Sequence, residues 1–149
     1  MRAFDHDFVN ETAARLNRIK VEAKPLWGTM TAEQMFGHLA GALRFAMGRG
    51  PEEPDRSTWF TRRVIAPLLL RGILKTPRNV KGIRFAKPSE PLPVSDAETV
   101  HALLESYLAA VQSGELNPPD HPMFGNIGVD GWAKLHVLHF DHHLRQFGV

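Results

Sequence analysis

Apolar residues recur every three to four positions in five separate stretches of this chain, and no stretch alternates convincingly between apolar and polar. That period fits the roughly 3.6 residues of a helical turn and not the two of a strand, so the spacing predicts an all-α fold. The first stretch takes Asp7 as its N-cap and carries Val9, Ala13, Leu16 and Ile19 before ending near "EAKPLWG". The second opens at Thr31, whose spacing from Gln34 is that of a capping box. It places Met35, His38, Leu39, Ala42, Phe45 and Ala46 on one face, and "GRGP" stops it. The third, about 58–75, contains Pro67, which lacks an amide donor and crowds the preceding turn, so a kink or a split is expected there. Beyond a proline-bearing loop, Ser95 and Glu98 form a second capping box ahead of Val100, Leu103, Leu104, Tyr107, Leu108 and Val111, with Gly114 as the stop. The fifth stretch runs over about 129–146. Four principal helices and one short Pro-containing segment predict a helical bundle.

With 149 residues, 43% of them apolar, one domain spanning 1–149 is expected. The longest apolar run, "VIAPLLL", is too short to cross a bilayer, and "MRAFDHDF" lacks the apolar core of a signal peptide. These features predict a soluble cytoplasmic protein with no membrane partner. There is no cysteine, which removes disulfides, thiolate metal sites and cysteine nucleophiles together. A net charge of +2 argues against nucleic acid as a partner. The charge is uneven, however: Arg56, Arg62, Arg63, Arg71, Lys75, Arg78, Lys81, Arg84 and Lys87 follow one another with no intervening Asp or Glu. Such a run is either a solvated face or a site for an anionic small molecule.

Four of the eight histidines lie between His136 and His143. At about 100° per residue, Trp132, Leu135, His136, His139, His143 and Gln146 share one face of the last helix, and Lys134, Asp141 and Arg145 lie opposite. His139 and His143 are one turn apart, so their rings can reach one ion. The residue after His139 is Phe140, so the zinc-protease helix motif, with its glutamate base, is absent. His38 sits within the apolar face of the second helix, where an imidazole needs a partner. Together the three can hold one divalent ion with positions left open. The alternative is three core histidines satisfied by hydrogen bonds. His142 falls at the edge of the inward face, His136 is expected at the mouth of a pocket, His101 and His121 in locally structural hydrogen bonds, and His6 on the surface.

The stretches "WGTMTAEQMFGH" (Trp27 to His38), "HPMFG" (His121 to Gly125) and "WAKLHVLHFDHHLRQF" (Trp132 to Phe147) resemble motifs of the DinB-like, YfiT-type superfamily of metalloenzymes, in a branch marked as domain of unknown function 1569. The resemblance implies a four-helix bundle whose metal ligands are one histidine of the second helix and an H-x3-H pair of the last. Those positions here are His38, His139 and His143. Where the superfamily often continues with Arg-Gly-Gln, this chain has Leu144, Arg145 and Gln146.

Three neutral imidazoles leave a bound ion its full charge, which suits it to activating water or a coordinated thiol. Zn2+ and Ni2+ lead among the ions that imidazole accepts. Characterised members of the superfamily use low-molecular-weight thiols, so the resemblance implies a metal-dependent enzyme acting on a small-molecule substrate, with thiol transfer ahead of hydrolysis. It names no catalytic residue beyond the ligands. Arg62, Arg63 and Arg71 are the expected holders of a thiol's carboxylates. The resemblance also implies a homodimer, and of Val137, Leu138, Phe140 and Leu144, spread around more than one face of the last helix, some are expected to cover a partner. The competing reading is a non-catalytic bundle that binds a ligand or dimerises.

Overall fold

A computed structural model describes residues 2–78 and 90–149, so Lys81, Arg84 and Lys87 of the basic run lie outside the described residues. Among these residues five α-helices form: α1 (His6–Asn17), α2 (Ala32–Ala46), α3 (Ala66–Leu70), α4 (Ala97–Ser113) and α5 (Gly128–Gln146). Among the described residues there is no strand, only an isolated bridge between His121 and Gly125.

The helix ends follow local chemistry, with two adjustments made by packing. Thr31 and Gln34 form the reciprocal capping box, each side chain bonding the other's backbone amide. Gly114 closes α4 in the left-handed region at φ 72°, where a side chain would be strained. The cap of α1 is Asp5 rather than Asp7: its carboxylate accepts from the Phe8 amide at 2.9 Å. Both aspartates have the right chemistry, and burial of Phe8 and Val9 keeps the earlier start. Likewise α4 is capped by Asp96, which accepts from the Thr99 amide at 2.7 Å, and not by Ser95. The Ser95 amide instead donates to the Glu33 carbonyl at 3.0 Å, tying the incoming loop to α2.

Pro67 divides the third stretch as expected, but through a widened turn. Thr61–Ile65 is π-helical, closed by the Ala66 amide donating to the Thr61 carbonyl, and α3 follows with Pro67 in its first turn. The wider turn accommodates a ring that regular α geometry would press onto the carbonyl four residues back. Regular helix ends at Leu70, short of Lys75.

One core joins the four long helices. α1 and α2 each pack against both α4 and α5, while α3 rests against the π-helical turn and α5. Leu16, Met35, Leu39, Leu43, Leu104, Tyr107, Phe140 and Leu144 are completely buried there. Each such aliphatic or aromatic side chain contributes roughly 1.5–3 kcal/mol relative to exposure. Of the four apolar residues of α5 among which a partner-covering surface is expected, Val137, Phe140 and Leu144 are taken up by the chain's own core. No helix among the described residues is long and apolar enough to cross a membrane.

Candidate metal centre

α2 presents His38 between Gln34 and Ala42, one turn to either side, and α5 presents His139 and His143 from successive turns. Packing of α2 on α5 brings the three rings together. The Nε2 atoms of His38 and His139 are 2.8 Å apart, and those of His139 and His143 are 3.1 Å apart. All three rings lie nearly perpendicular to one another, with centroids 4.7–5.0 Å apart. Nitrogens bound about 2.0–2.1 Å from one ion, subtending 90–110°, would be separated by about 2.9–3.4 Å. The ligand atoms of the trio all lie within 4.8 Å of one another, so the group can hold a metal ion.

The donor set is electrically suited to that role. Burial first, and then mutual repulsion, lowers His38 to about 3 and puts His139 well below the ordinary histidine range. Burial also lowers His143, to about 4, only partly opposed by its bond to Gln146. All three are therefore neutral at pH 7, with lone pairs available.

A relay fixes which nitrogen of His143 carries the proton. The Gln146 amide nitrogen donates to the Trp27 carbonyl at 2.9 Å, which turns its oxygen toward His143, where it accepts from Nδ1–H at 2.7 Å. Nε2 of His143 is then an unprotonated acceptor facing His139. This is the outer-shell bond that metal-ligating histidines usually make. The Leu26 amide, donating to the Gln146 carbonyl at 2.7 Å, pins the same loop to the end of α5. Sequence reasoning placed Gln146 on the inward face without giving it a role; its position one turn after His143 was the available signal.

The trio opens onto a cavity of about 690 Å3, within the range of small-molecule sites. Its walls are largely apolar, with Met30, Leu69, Met123, Phe124, Leu135 and Leu138 among them. No Asp or Glu lines it among the described residues. His142 also lines it, half-buried, with its ring 5.5 Å from that of Trp27. His136 lines the cavity as well, but at depth rather than at its mouth. It is almost completely buried, its ring 4.6 Å from Tyr107, and its Nε2 lacks a partner among the described residues. His121 takes the locally structural role expected of it, accepting at Nδ1 from the amides of Met123 and Phe124. His101 lies 3.3 Å from Glu105 one turn on, and His6 is exposed.

Arg62, Arg63 and Arg71 do not line the cavity. All three are exposed, and Arg62 is engaged by Asp55 at 3.3 Å and by the Ser57 hydroxyl at 2.7 Å. Among the described residues of the basic run, Arg78 comes near the cavity without lining it: its guanidinium carbon stands 4.2 Å from the centre of the ring of Trp27, a wall residue. Nothing in its sequence context set Arg78 apart from its basic neighbours.

Fold and site define an all-helical protein with a three-histidine group, His143 buried and His38 and His139 half-buried, able to hold a metal. The chain belongs to the family described as Protein of unknown function (DUF1569), which it matches over residues 2–148. Neither a curated protein nor a solved structure matches it.

Proposed function

We propose that this chain is a DinB-like four-helix bundle in which His38, His139 and His143 hold one divalent ion, Zn2+ or Ni2+, for chemistry on a small molecule in the adjoining cavity. The observation that carries the reading is the convergence of three neutral imidazoles, one with its tautomer fixed by Gln146, at the wall of that cavity. A bound ion would supply a Lewis acid that lowers the pKa of a coordinated water or thiol. Burial keeps the three imidazoles neutral, Gln146 leaves the His143 Nε2 unprotonated, and largely apolar side chains surround the reacting space. Among the described residues no carboxylate lines those walls to serve as a base, and with no cysteine the chain offers no thiol. Thiol transfer to or from an external low-molecular-weight thiol leads over hydrolysis in this reading, and Arg78, stacked on Trp27 of the cavity wall, is the cation we assign to the thiol's carboxylates.

Metal analysis of tag-free protein purified without chelator tests this reading. About one ion per chain is expected, lost in His139→Ala and His143→Ala and largely retained in His142→Ala. Metal-free wild-type protein that takes up no added Zn2+ or Ni2+, or equal loss in all three variants, would refute the assignment. Calorimetric titration of the loaded protein with glutathione, bacillithiol and mycothiol then tests the thiol; binding of none would put hydrolysis first.

A further inference from the structure

His121 lies within "HPMFG", a stretch that the metal reading does not use, yet it lines the same cavity. It is buried, with 6% of its surface exposed. Its ring is held from several sides. Nδ1 accepts from the amides of Met123 at 3.1 Å and Phe124 at 3.2 Å. The Phe124 ring stacks on it at 4.6 Å, nearly parallel at 16°, and the Trp132 ring lies 5.0 Å away. Its backbone is clamped as well, by reciprocal 2.8 Å bonds with Gly125. The Trp132 indole, which donates to the Pro119 carbonyl at 2.9 Å, anchors the whole loop on α5.

Two amide donors at Nδ1 require a lone pair on that nitrogen, so a neutral His121 carries its proton on Nε2. Nδ1 is turned into the loop's own backbone. The opposite edge of the ring, bearing Nε2–H, is what the residue has left to offer the cavity, and no protein group among the described residues accepts from it. A donor of fixed tautomer and fixed orientation, flanked by the apolar side chains of Met123, Phe124 and Leu135 in the same wall, is an arrangement that selects an acceptor oxygen on a largely apolar molecule.

We infer that the cavity binds an apolar carbonyl compound and that His121 Nε2–H holds its carbonyl oxygen. The inference rests on reading this cavity as the substrate chamber, and it is independent of whether the trio holds a metal. His121 is a binding residue that sets specificity; it accepts no proton and donates none in the course of this role.

Acetophenone and α-methylstyrene, which differ only in C=O against C=CH2, are suitable probes. Binding is followed by NMR through the indole resonances of Trp27 and Trp132, both in the cavity wall. The informative variant is His121→Asn, because the asparagine oxygen can accept the same two amide bonds while Nε2–H is lost. The affinity ratio of ketone to alkene is expected to fall about three- to tenfold in the variant, the worth of one net hydrogen bond, with alkene affinity kept within twofold. In the wild-type protein the ketone should also shift the His121 Nε2–H resonance, and this reading stands even if the variant fails to fold.

An unchanged ratio in a folded variant, no shift of that resonance, or no binding of either probe would overturn the inference. Both titrations are repeated after chelator treatment. A ketone preference lost on chelation but kept in His121→Asn would assign the oxygen to the histidine trio and equally overturn it. A protein that never held metal, with the ratio still dependent on His121, would refute only the metal reading.

Discussion

Replacing Gln146 by Leu should weaken metal binding without touching a ligand. In the native arrangement the Gln146 oxygen accepts from Nδ1–H of His143 at 2.7 Å, while its amide group is held by the Trp27 carbonyl at 2.9 Å. Leucine fills similar space and supplies neither bond. The Nδ1–H is then left buried without an acceptor, and the ring can take the other tautomer, whose Nε2–H faces the metal position. Loss of such an outer-shell bond costs about 10–100-fold in metal affinity, which is about 1.4–2.7 kcal/mol. The unsatisfied donor should also lower the stability of the metal-free protein by about 1–3 kcal/mol. Competition for Zn2+ against a chromophoric chelator at pH 7.5 measures the first quantity and urea denaturation the second. Gln146→Glu separates the causes: a carboxylate still accepts from Nδ1–H but cannot donate to the Trp27 carbonyl, so metal affinity should hold while the loop loosens. An affinity for Gln146→Leu within twofold of wild type would refute the tautomer argument. Equal weakening in both variants would shift the cause to the Trp27 anchor.

Two further outcomes follow from packing and burial. A Cβ at Gly37 would lie 2.1 Å from the Pro93 carbonyl oxygen, a backbone atom, so Gly37→Ala should destabilise the chain by about 1–3 kcal/mol in urea despite alanine's better helix propensity; a stabilised variant would show that the 93–95 segment is not seated on α2. Burial holds His38 and His136 at about 3 and His121 and His143 at about 4, against an ordinary 6.5. Because these folded-state values are depressed, the unfolded chain binds more protons below about pH 6.5, and stability is complete above that pH and lost as pH falls toward 4. The slope should approach about 1.4 kcal/mol per pH unit for each such residue, and denaturation midpoints that do not change between pH 7 and 4.5 would contradict neutral burial.

The sequence by itself determined what depends on neighbours along the chain. Helical class came from the apolar period, the start of α2 from Thr31 and Gln34, the end of α4 from Gly114, and the pairing of His139 with His143 from a spacing of one turn. Each is a matter of a few residues on one helix, so no knowledge of the other helices was needed. Where a neighbouring residue had the same capping chemistry as the one the spacing picked, Asp5 beside Asp7 and Asp96 beside Ser95, tertiary contacts chose between them.

Everything that depends on how helices and loops meet was decided only in three dimensions. The wheel put His38 and the α5 pair on inward faces, but only the packing of α2 on α5 brought their Nε2 atoms to 2.8 and 3.1 Å. The same wheel could not say how deep a face lies, and His136, on the histidine side of α5, lines the cavity from its depth, against Tyr107 and Trp132, and not from its mouth. Likewise the basic run carried no mark distinguishing Arg78 from Arg62, because a loop's path, unlike a helix's period, is fixed by distant contacts such as the Trp27 ring. The proton on His143 lies furthest from the sequence: it is set by a bond from Gln146 that is oriented by a carbonyl 119 residues away.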